Sequence, residues 1–464
     1  MKSNRVEQHI IKKNNPDWKI IDELCFKSKN IYNYANYIIR QIFIISNLLK
    51  DDKEITQEQH DFLSFVNENV DKYNVNKQSN LEKKQLKGKS LDKEHTLLEY
   101  FNKDHRSCNY NFIDFITKQS EPFKDLGSNS SQQTLKVLDK NWKSFFVSIR
   151  DWSKHPEKYL GRPKLPKYKH KEKGRKELIL TNIQSKIVDG YMSFSFNPLK
   201  PLNNKYKTNV NGKLMQTRFI PRNDNYVMEI VYEIDLPESN NISSERIVGI
   251  DIGVNNFATV SNNIGMQPFI INGKPLKSIN QYFNKGKSKM QSDLKLKHDR
   301  CWSNKLKNFT DKRNNKIDDY IHKASKKIVD WCALNKIDTV VVGRNKNWKQ
   351  ESIMSKKVNQ NFVGIPHYKF IQKLAYKCEN VGIKLIETEE SYTSGTSFLD
   401  GEQPNKDNYN KGRRIYRGLF KSNTGKLINA DLNGSYQIMK KVFPDVFVNG
   451  IEGAGSHPIR LNVI

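Results

Sequence analysis

One run constrains the fold more than any other: Arg246-Ile247-Val248-Gly249-Ile250-Asp251-Ile252-Gly253-Val254-Asn255-Asn256-Phe257-Ala258-Thr259-Val260. It reads as a hydrophobic strand that carries one carboxylate and resumes after Asn255-Asn256. Asp251 stands between Ile250 and Ile252, where a solvated loop would not put it. A buried carboxylate without a partner is costly, so such a residue meets a cation or a tight hydrogen-bond network. Two readings compete. The plain one is an Asp-Gly turn at a strand end, because Gly253 follows closely. The sharper one is a metal ligand.

The charge balance narrows the partners. The 464 residues hold 79 Lys and Arg against 50 Asp and Glu, a formal net charge of +29. Such an excess needs a polyanionic partner, and nucleic acid fits better than a membrane surface. The length suits about two to four domains. No apolar stretch is long enough to span a bilayer, and Met1-Lys2-Ser3-Asn4-Arg5 has no apolar signal core behind it, so a cytoplasmic chain is expected. The five cysteines (Cys25, Cys108, Cys301, Cys332, Cys378) are scattered and form no Cys-x-x-Cys pair. Reduced thiols are expected, and no zinc site is visible.

Periodicity divides the chain. Ile20, Leu24, Ile31, Ala35, Ile38 and Ile42 recur at helical spacing, as do Leu135, Leu138, Trp142, Phe145, Phe146 and Ile149. The Lys-rich stretch from Lys72 to Lys93 reads as a loop or a mobile helical insertion. The prolines and glycine of Tyr159-Leu160-Gly161-Arg162-Pro163-Lys164-Leu165-Pro166-Lys167-Tyr168-Lys169-His170-Lys171 break the second helix. Its lysines alternate with Tyr168 and His170, a pattern that suits phosphate contact with base or sugar packing. From Leu178 to Leu236 the alternation is that of antiparallel β-barrel pieces. After Asp251 come strands and helices in turn, with a buried strand at Thr339–Gly343 and a last helix near Asn429-Ala430-Asp431: an α/β layer architecture.

Carboxylates fall at the ends of these elements: Asp251, the Glu387/Glu389/Glu390 cluster and Asp431. An acidic residue at a helix start is more often a complement to the helix dipole than a ligand. Metal-dependent phosphodiester cleavage, however, needs clustered carboxylates that hold hard cations about 4 Å apart. All three groups together, in a chain this basic, favour a metal-binding Asp251 on the first strand of a nuclease fold.

Several motifs in order resemble the TnpB family of transposon-encoded RNA-guided nucleases and the related compact type V CRISPR effectors. They are Gly249-Ile250-Asp251-Ile252-Gly253-Val254-Asn255, then Glu390-Ser391-Tyr392-Thr393-Ser394, then Ile428-Asn429-Ala430-Asp431-Leu432-Asn433-Gly434-Ser435, preceded by Lys140-Asn141-Trp142-Lys143-Ser144-Phe145-Phe146 and the basic stretch from Gly161 to Tyr168. The resemblance implies a multidomain α+β chain: an RNase H-like (RuvC) α/β nuclease domain preceded by a β-barrel wedge domain with a helical recognition domain inserted. The expected boundaries are 1–20 and 153–245 for the wedge, 21–152 for the helical domain and 246–464 for the nuclease, with 391–428 as a target-strand-loading insertion. The resemblance also implies a guide RNA and target double-stranded DNA as partners, a short flanking DNA motif, and two Mg²⁺ ions, with Asp251 and Asp431 as ligands.

The sequence departs from that pattern twice. The fourth strand usually ends in a Glu; here it ends in Val341-Val342-Gly343-Arg344-Asn345. Either the protein is a nuclease-inactive RNA-guided DNA-binding repressor, or the carboxylate comes from the neighbouring strand, about 4.8 Å away. Glu390 is favoured because it precedes the Ser-Tyr-Thr-Ser motif, and the two retained aspartates favour cleavage. A strand transferase on the same fold would not explain the long basic amino-terminal half. The second departure is that the segment after Glu390 holds none of the paired cysteines common in relatives, so zinc is excluded there; packing through Phe398, Leu399, Tyr409 and Tyr416 is expected instead. Nucleic-acid contacts are expected at Arg162, Lys164, Lys167, Tyr168 and Lys169, at Trp348, and at Arg413, Arg414 and Arg417.

Overall fold

The structure is a computed structural model and describes residues 2–86, 97–237, 245–345, 356–447 and 457–463. Two compact units divide the chain, Lys2–Asp235 and Leu236–Ile464.

In the first unit, strand β1 (Lys2–Ile11) leads into helices α1 (Asp17–Lys50), α2 (Gln57–Gln85), α3 (Tyr110–Thr117), α4 (Glu121–Leu126) and α5 (Ser128–Lys154). The helical apolar stripes meet as their spacing predicts: Leu24, Ile31, Ala35, Ile38 and Ile42 of α1 are buried with Leu135, Leu138 and Trp142 of α5. Phe43 joins them, its ring 5.7 Å from that of Trp142 and 5.8 Å from those of Phe145 and Phe146. The buried indole N–H of Trp142 donates to Asn36 Oδ1 at 3.0 Å, so its one polar atom is satisfied. The Lys-rich stretch begins as helix, since α2 runs to Gln85, and residues 87–96 lie outside the described residues.

Strands β2 (Leu178–Thr181), β3 (Ser185–Val188), β4 (Tyr191–Phe194), β5 (Lys213–Arg222) and β6 (Asn225–Asp235) complete this unit. β1 pairs antiparallel with β6 from Lys2↔Asp235 to Ile11↔Tyr226. The sheet order is β1-β6-β5-β2, with β3 and β4 as a separate hairpin. The expected barrel is therefore not closed among the described residues: β1 and β2 remain two edges of an open sheet.

The second unit holds β7 (Ile247–Ile252), β8 (Asn256–Asn262), β9 (Phe269–Asn272), α6 (Lys274–His298), α7 (Asn304–Leu334), β10 (Thr339–Gly343), α8 (Lys356–Val363), α9 (His367–Asn380) and β11 (Lys384–Thr388). It ends with the short strands β12 (Arg414–Tyr416), β13 (Leu419–Lys421) and β14 (Leu427–Asn429), helix α10 (Ala430–Val442) and β15 (Ile459–Leu461). Six strands form one sheet in the order β11-β10-β7-β8-β9-β15. β7, β10 and β11 run parallel, whereas β8 is antiparallel to both β7 and β9.

Strand alternation sorts the side chains of β7 and β10 onto two faces. Val248, Ile250, Ile252, Val340 and Val342 join the core under α7 and α9. Ile247 and Val341 instead join Leu432, Tyr436, Ile438 and Met439 of α10 on the other face. Asp251 follows the odd-numbered series, and Gly343 follows Val341. Both therefore look toward α10, and this resolves why a carboxylate can sit between two buried isoleucines. Gly249 permits the close packing: a Cβ there would come within 2.3 Å of the Ser435 carbonyl oxygen.

Candidate active site

Asp251 belongs to β7 and Asp431 to the first turn of α10. Asn429 caps that helix, its side-chain oxygen accepting from the Asp431 and Leu432 backbone N–H groups at 3.1 Å each. This local chemistry fixes where the helix begins and leaves the Asp431 side chain free for other partners. Its Oδ2 accepts from Asn256 Nδ2 at 2.7 Å and its Oδ1 from Arg414 Nη2 at 3.2 Å.

Glu390 arrives from β11. That strand pairs with β10 in the register Gly343↔Thr388, and Glu390 follows two residues later. Its backbone N–H donates to Asn345 Oδ1 at 2.9 Å. The side chain passes over Gly343: a Cβ built on that glycine would stand 2.6 Å from Glu390 Cγ and 2.7 Å from Glu390 Oε1. The missing side chain on β10 is thus the space that Glu390 occupies. The neighbouring acids go elsewhere. Glu387 pairs with Arg344 at 2.6 Å, and Glu389 accepts from Ser391 Oγ at 2.7 Å.

Asp251, Glu390 and Asp431 line one cavity of about 870 Å³, together with Asn255, Asn256, Lys274, Lys277, Arg414 and Arg417. Burial raises the Asp251 carboxyl well above its usual range; the charges of Glu390 and Asp431 add to the effect and Arg414 opposes it. Burial also raises Glu390. Glu390 Oε1 is buried with no hydrogen-bond partner among the described residues. Three carboxylates, one with an orphaned buried oxygen, form a donor set that fits a hard divalent cation. As they stand, no three His, Cys, Asp or Glu side chains among the described residues are close enough to share an ion. Asp431 is engaged by Asn256 and Arg414 instead.

The segment after Glu390 is held by ring packing and buried hydrogen bonds. Phe398 stacks on Tyr436 with ring centroids 4.1 Å apart and planes 8° from parallel. Buried Asn433 accepts from the Phe398 N–H at 2.9 Å and donates to the Thr396 carbonyl at 2.8 Å. Tyr409 lies edge-on to Tyr392 at 5.6 Å. Tyr416, expected to help pack this segment, is 64% exposed, because it lies on the short strand β12, all of whose residues face solvent.

Residues 229–349 match the family model OrfB_IS605, described as a probable transposase, and residues 367–438 match the model for the Cas12f1-like TNB domain. The chain is related to TnpB and the compact type V effectors. No curated protein matches. Two solved structures are similar to this TnpB-like chain. One, a cryo-EM structure of the Cas12f1–sgRNA–target DNA complex, is 15% identical over 94% of this chain and 98% of that one, with a TM-score of 0.33. The other, a cryo-EM structure of a CRISPR-Cas12f ternary complex, is 14% identical over 90% and 81%, also with a TM-score of 0.33.

The other expected contact residues are placed as follows. Arg413 is mostly buried and pairs with Glu402 at 2.5 Å, so it braces its own loop. Its neighbour Arg414, and Arg417, line the cavity. In the Lys2–Asp235 unit, Lys164, Lys167 and Lys169 are exposed. Arg162 lies 5.8 Å over the Trp152 ring, and the Arg40 guanidinium lies 4.8 Å over Tyr168. Side chains of α1 grip the backbone of this segment: Asn36 and Arg40 donate to the Pro166 carbonyl at 3.1 and 2.9 Å, Asn33 to that of Lys169 at 2.8 Å and Lys29 to that of Lys171 at 2.5 Å. The spacing 29, 33, 36, 40 puts all four on one face of α1. Trp348 lies outside the described residues.

Sequence reasoning missed Asn256, Asn345, Lys274, Lys277 and Arg460 as cavity residues. Lys274 and Lys277 sit one turn apart at the start of α6, a spacing that was visible once that helix is recognised. Arg460 lies on β15, three residues long and too short for any periodicity to show. Among the described residues no helix is long and apolar enough to cross a membrane.

Proposed function

We propose that this protein is an RNA-guided DNA endonuclease whose cleavage site is formed by Asp251, Glu390 and Asp431. The observation that carries the reading is the passage of Glu390 over Gly343: the carboxylate missing from β10 is supplied from β11 into the same space, on the face that already presents Asp251.

The order β11-β10-β7-β8-β9 supports an RNase H-like, RuvC-type reading of residues 246–464, with 391–428 as the insertion that loads the target strand. The open sheet and helices before residue 245 would supply the wedge and recognition functions and read a short flanking motif. The net charge of +29 and the matches of residues 229–349 and 367–438 to the two family models support guide RNA and double-stranded DNA as partners.

Asp251, Glu390 and Asp431 would hold Mg²⁺, as two ions; when bound, these activate the attacking water and stabilise the leaving oxygen. The chain's own residues prepare that chemistry. Asn345 anchors the backbone at Glu390, and Asn256 orients Asp431. Lys274, Lys277, Arg414 and Arg417 present cations to phosphates entering the cavity. Burial of Glu390 and Asp251 makes their carboxylates unfavourable without a cation.

The test is a cleavage assay with copurified RNA, Mg²⁺ and a plasmid library with randomised flanks. Cutting that is lost in Asp251→Ala and Glu390→Ala but kept in Glu387→Ala supports the reading. Target binding without cutting under any divalent ion would leave the repressor reading, which the engagement of Asp431 by Arg414 and Asn256 favours.

A further inference from the structure

We propose that Arg414 is a counter-cation that competes with a divalent ion for Asp431 and is drawn off by a phosphate of the bound strand, so that ion loading and strand binding are coupled. The inference rests on the cation site proposed above and adds a role for a residue on the cavity wall.

Asp431 has both oxygens engaged, one by a neutral amide and one by a guanidinium. The amide of Asn256 is itself held by Arg460 Nη2 at 3.2 Å and can remain beside a bound cation. A guanidinium cannot do so at the same cost, because two cations would then share one carboxylate. Arg414 is weakly tied otherwise. The only other hydrogen bond of its side chain among the described residues is to the Arg417 carbonyl at 3.5 Å, the long limit for such a bond. Its side chain is 36% exposed and that of Asp431 30%, so the pair is open to solvent and exchange.

The adjacent arginine shows the contrast. Arg413 and Glu402 meet at 2.5 Å with side chains only 16% and 15% exposed, a fixed strut. Arg413 ends the short 3₁₀ turn Lys411–Arg413, whereas Arg414 opens strand β12, so the two side chains leave the backbone from different local structures. One arginine braces the loop while the next reaches into the cavity.

Arginine prefers a phosphate to a single carboxylate oxygen when a strand presents one, because its planar fork can bind two oxygens at once. A strand that takes Arg414 frees Asp431 Oδ1, and the ion then meets a more negative site. Linkage makes the effect reciprocal: the ion strengthens strand binding by the same factor.

Mn²⁺ binding to the full chain, followed by electron paramagnetic resonance with and without a phosphorothioate single-stranded oligodeoxynucleotide, tests this. Wild-type protein should bind Mn²⁺ more tightly once the oligodeoxynucleotide is added. Arg414→Gln should bind it about two- to fivefold more tightly than wild type without the strand, the range for a half-exposed ion pair, and should gain nothing when the strand is added. Arg414→Lys should keep part of the coupling, a rescue that a merely structural role would not produce. Equal or weaker Mn²⁺ binding by Arg414→Gln without the strand overturns the inference. If Asp251→Asn binds Mn²⁺ as wild type does, the cation site itself fails, an outcome distinct from loss of coupling.

Discussion

Glu390 and Gly343 share one space: the Glu390 Cγ lies 2.6 Å from the point where a Cβ on Gly343 would stand. No side chain fits on that strand end while the glutamate is in place. The Ile438 Cδ1 atom crowds the same point, also at 2.6 Å.

Gly343→Ala should therefore displace Glu390 and lower cleavage at least tenfold, with a stability loss of about 1–3 kcal/mol from overpacking. The pair Gly343→Glu with Glu390→Ala returns a carboxylate to β10 and should recover part of the activity lost in Glu390→Ala alone. Cleavage rates and thermal midpoints of the three variants check this; a wild-type rate in Gly343→Ala would be incompatible with the shared space.

The raised carboxyls predict a pH dependence of stability without divalent ions. Asp251 and Glu390 are held above their unfolded values, chiefly by burial. Their contribution is fully present below about pH 4, near the unfolded carboxylate range, and is lost as pH rises through the folded values. Glu390→Gln should thus melt higher than wild type in chelator, with the difference growing from acid to neutral pH, and Mg²⁺ should shrink it. A difference that is flat with pH would contradict the assignment.

Asn433→Ala should loosen the segment that precedes Asp431. It removes both hydrogen bonds between buried Asn433 and the backbone at Thr396 and Phe398. Leaving those groups unpaired costs about 1–3 kcal/mol. Limited proteolysis should show earlier cutting between Tyr392 and Arg413 in this variant.

The exposed lysines on the gripped segment should act through phosphates alone. Replacing Lys164, Lys167 and Lys169 together with Ala should weaken RNA binding and reduce the salt slope of log K by up to about 2–3. Asn33→Ala with Asn36→Ala keeps every lysine and removes two of the four α1 side chains that hold the segment; it should weaken binding while leaving the slope nearly unchanged. Fluorescence anisotropy over a salt series separates the two outcomes.

Much of the second unit was legible because its signals are periodic. Continuous apolar runs mark β7 and β10, and the four-then-three spacing of Ile317, Ile321, Ala324 and Ile328 marks α7. The Asn-Ala-Asp start of α10 carried its own cap. The basic stretch after α5 announced its charge but not its setting, since the four α1 side chains that hold it lie far away in sequence. The open edges of the first sheet were equally invisible, because alternation defines a strand without naming its neighbours.

Asp251 shows the division most plainly. The sequence by itself determined that a carboxylate lies inside a buried strand, that two further acidic positions follow at element ends, and that one position where a carboxylate was expected is glycine. Only the tertiary structure decided which of three nearby glutamates fills the space at Gly343, and that Arg414 rather than Arg413 faces the carboxylates. The reason is physical. Periodicity assigns a side chain to a face, but which atoms share a space depends on strand register, on the packing of α10 against β7, and on contacts between residues distant in the chain.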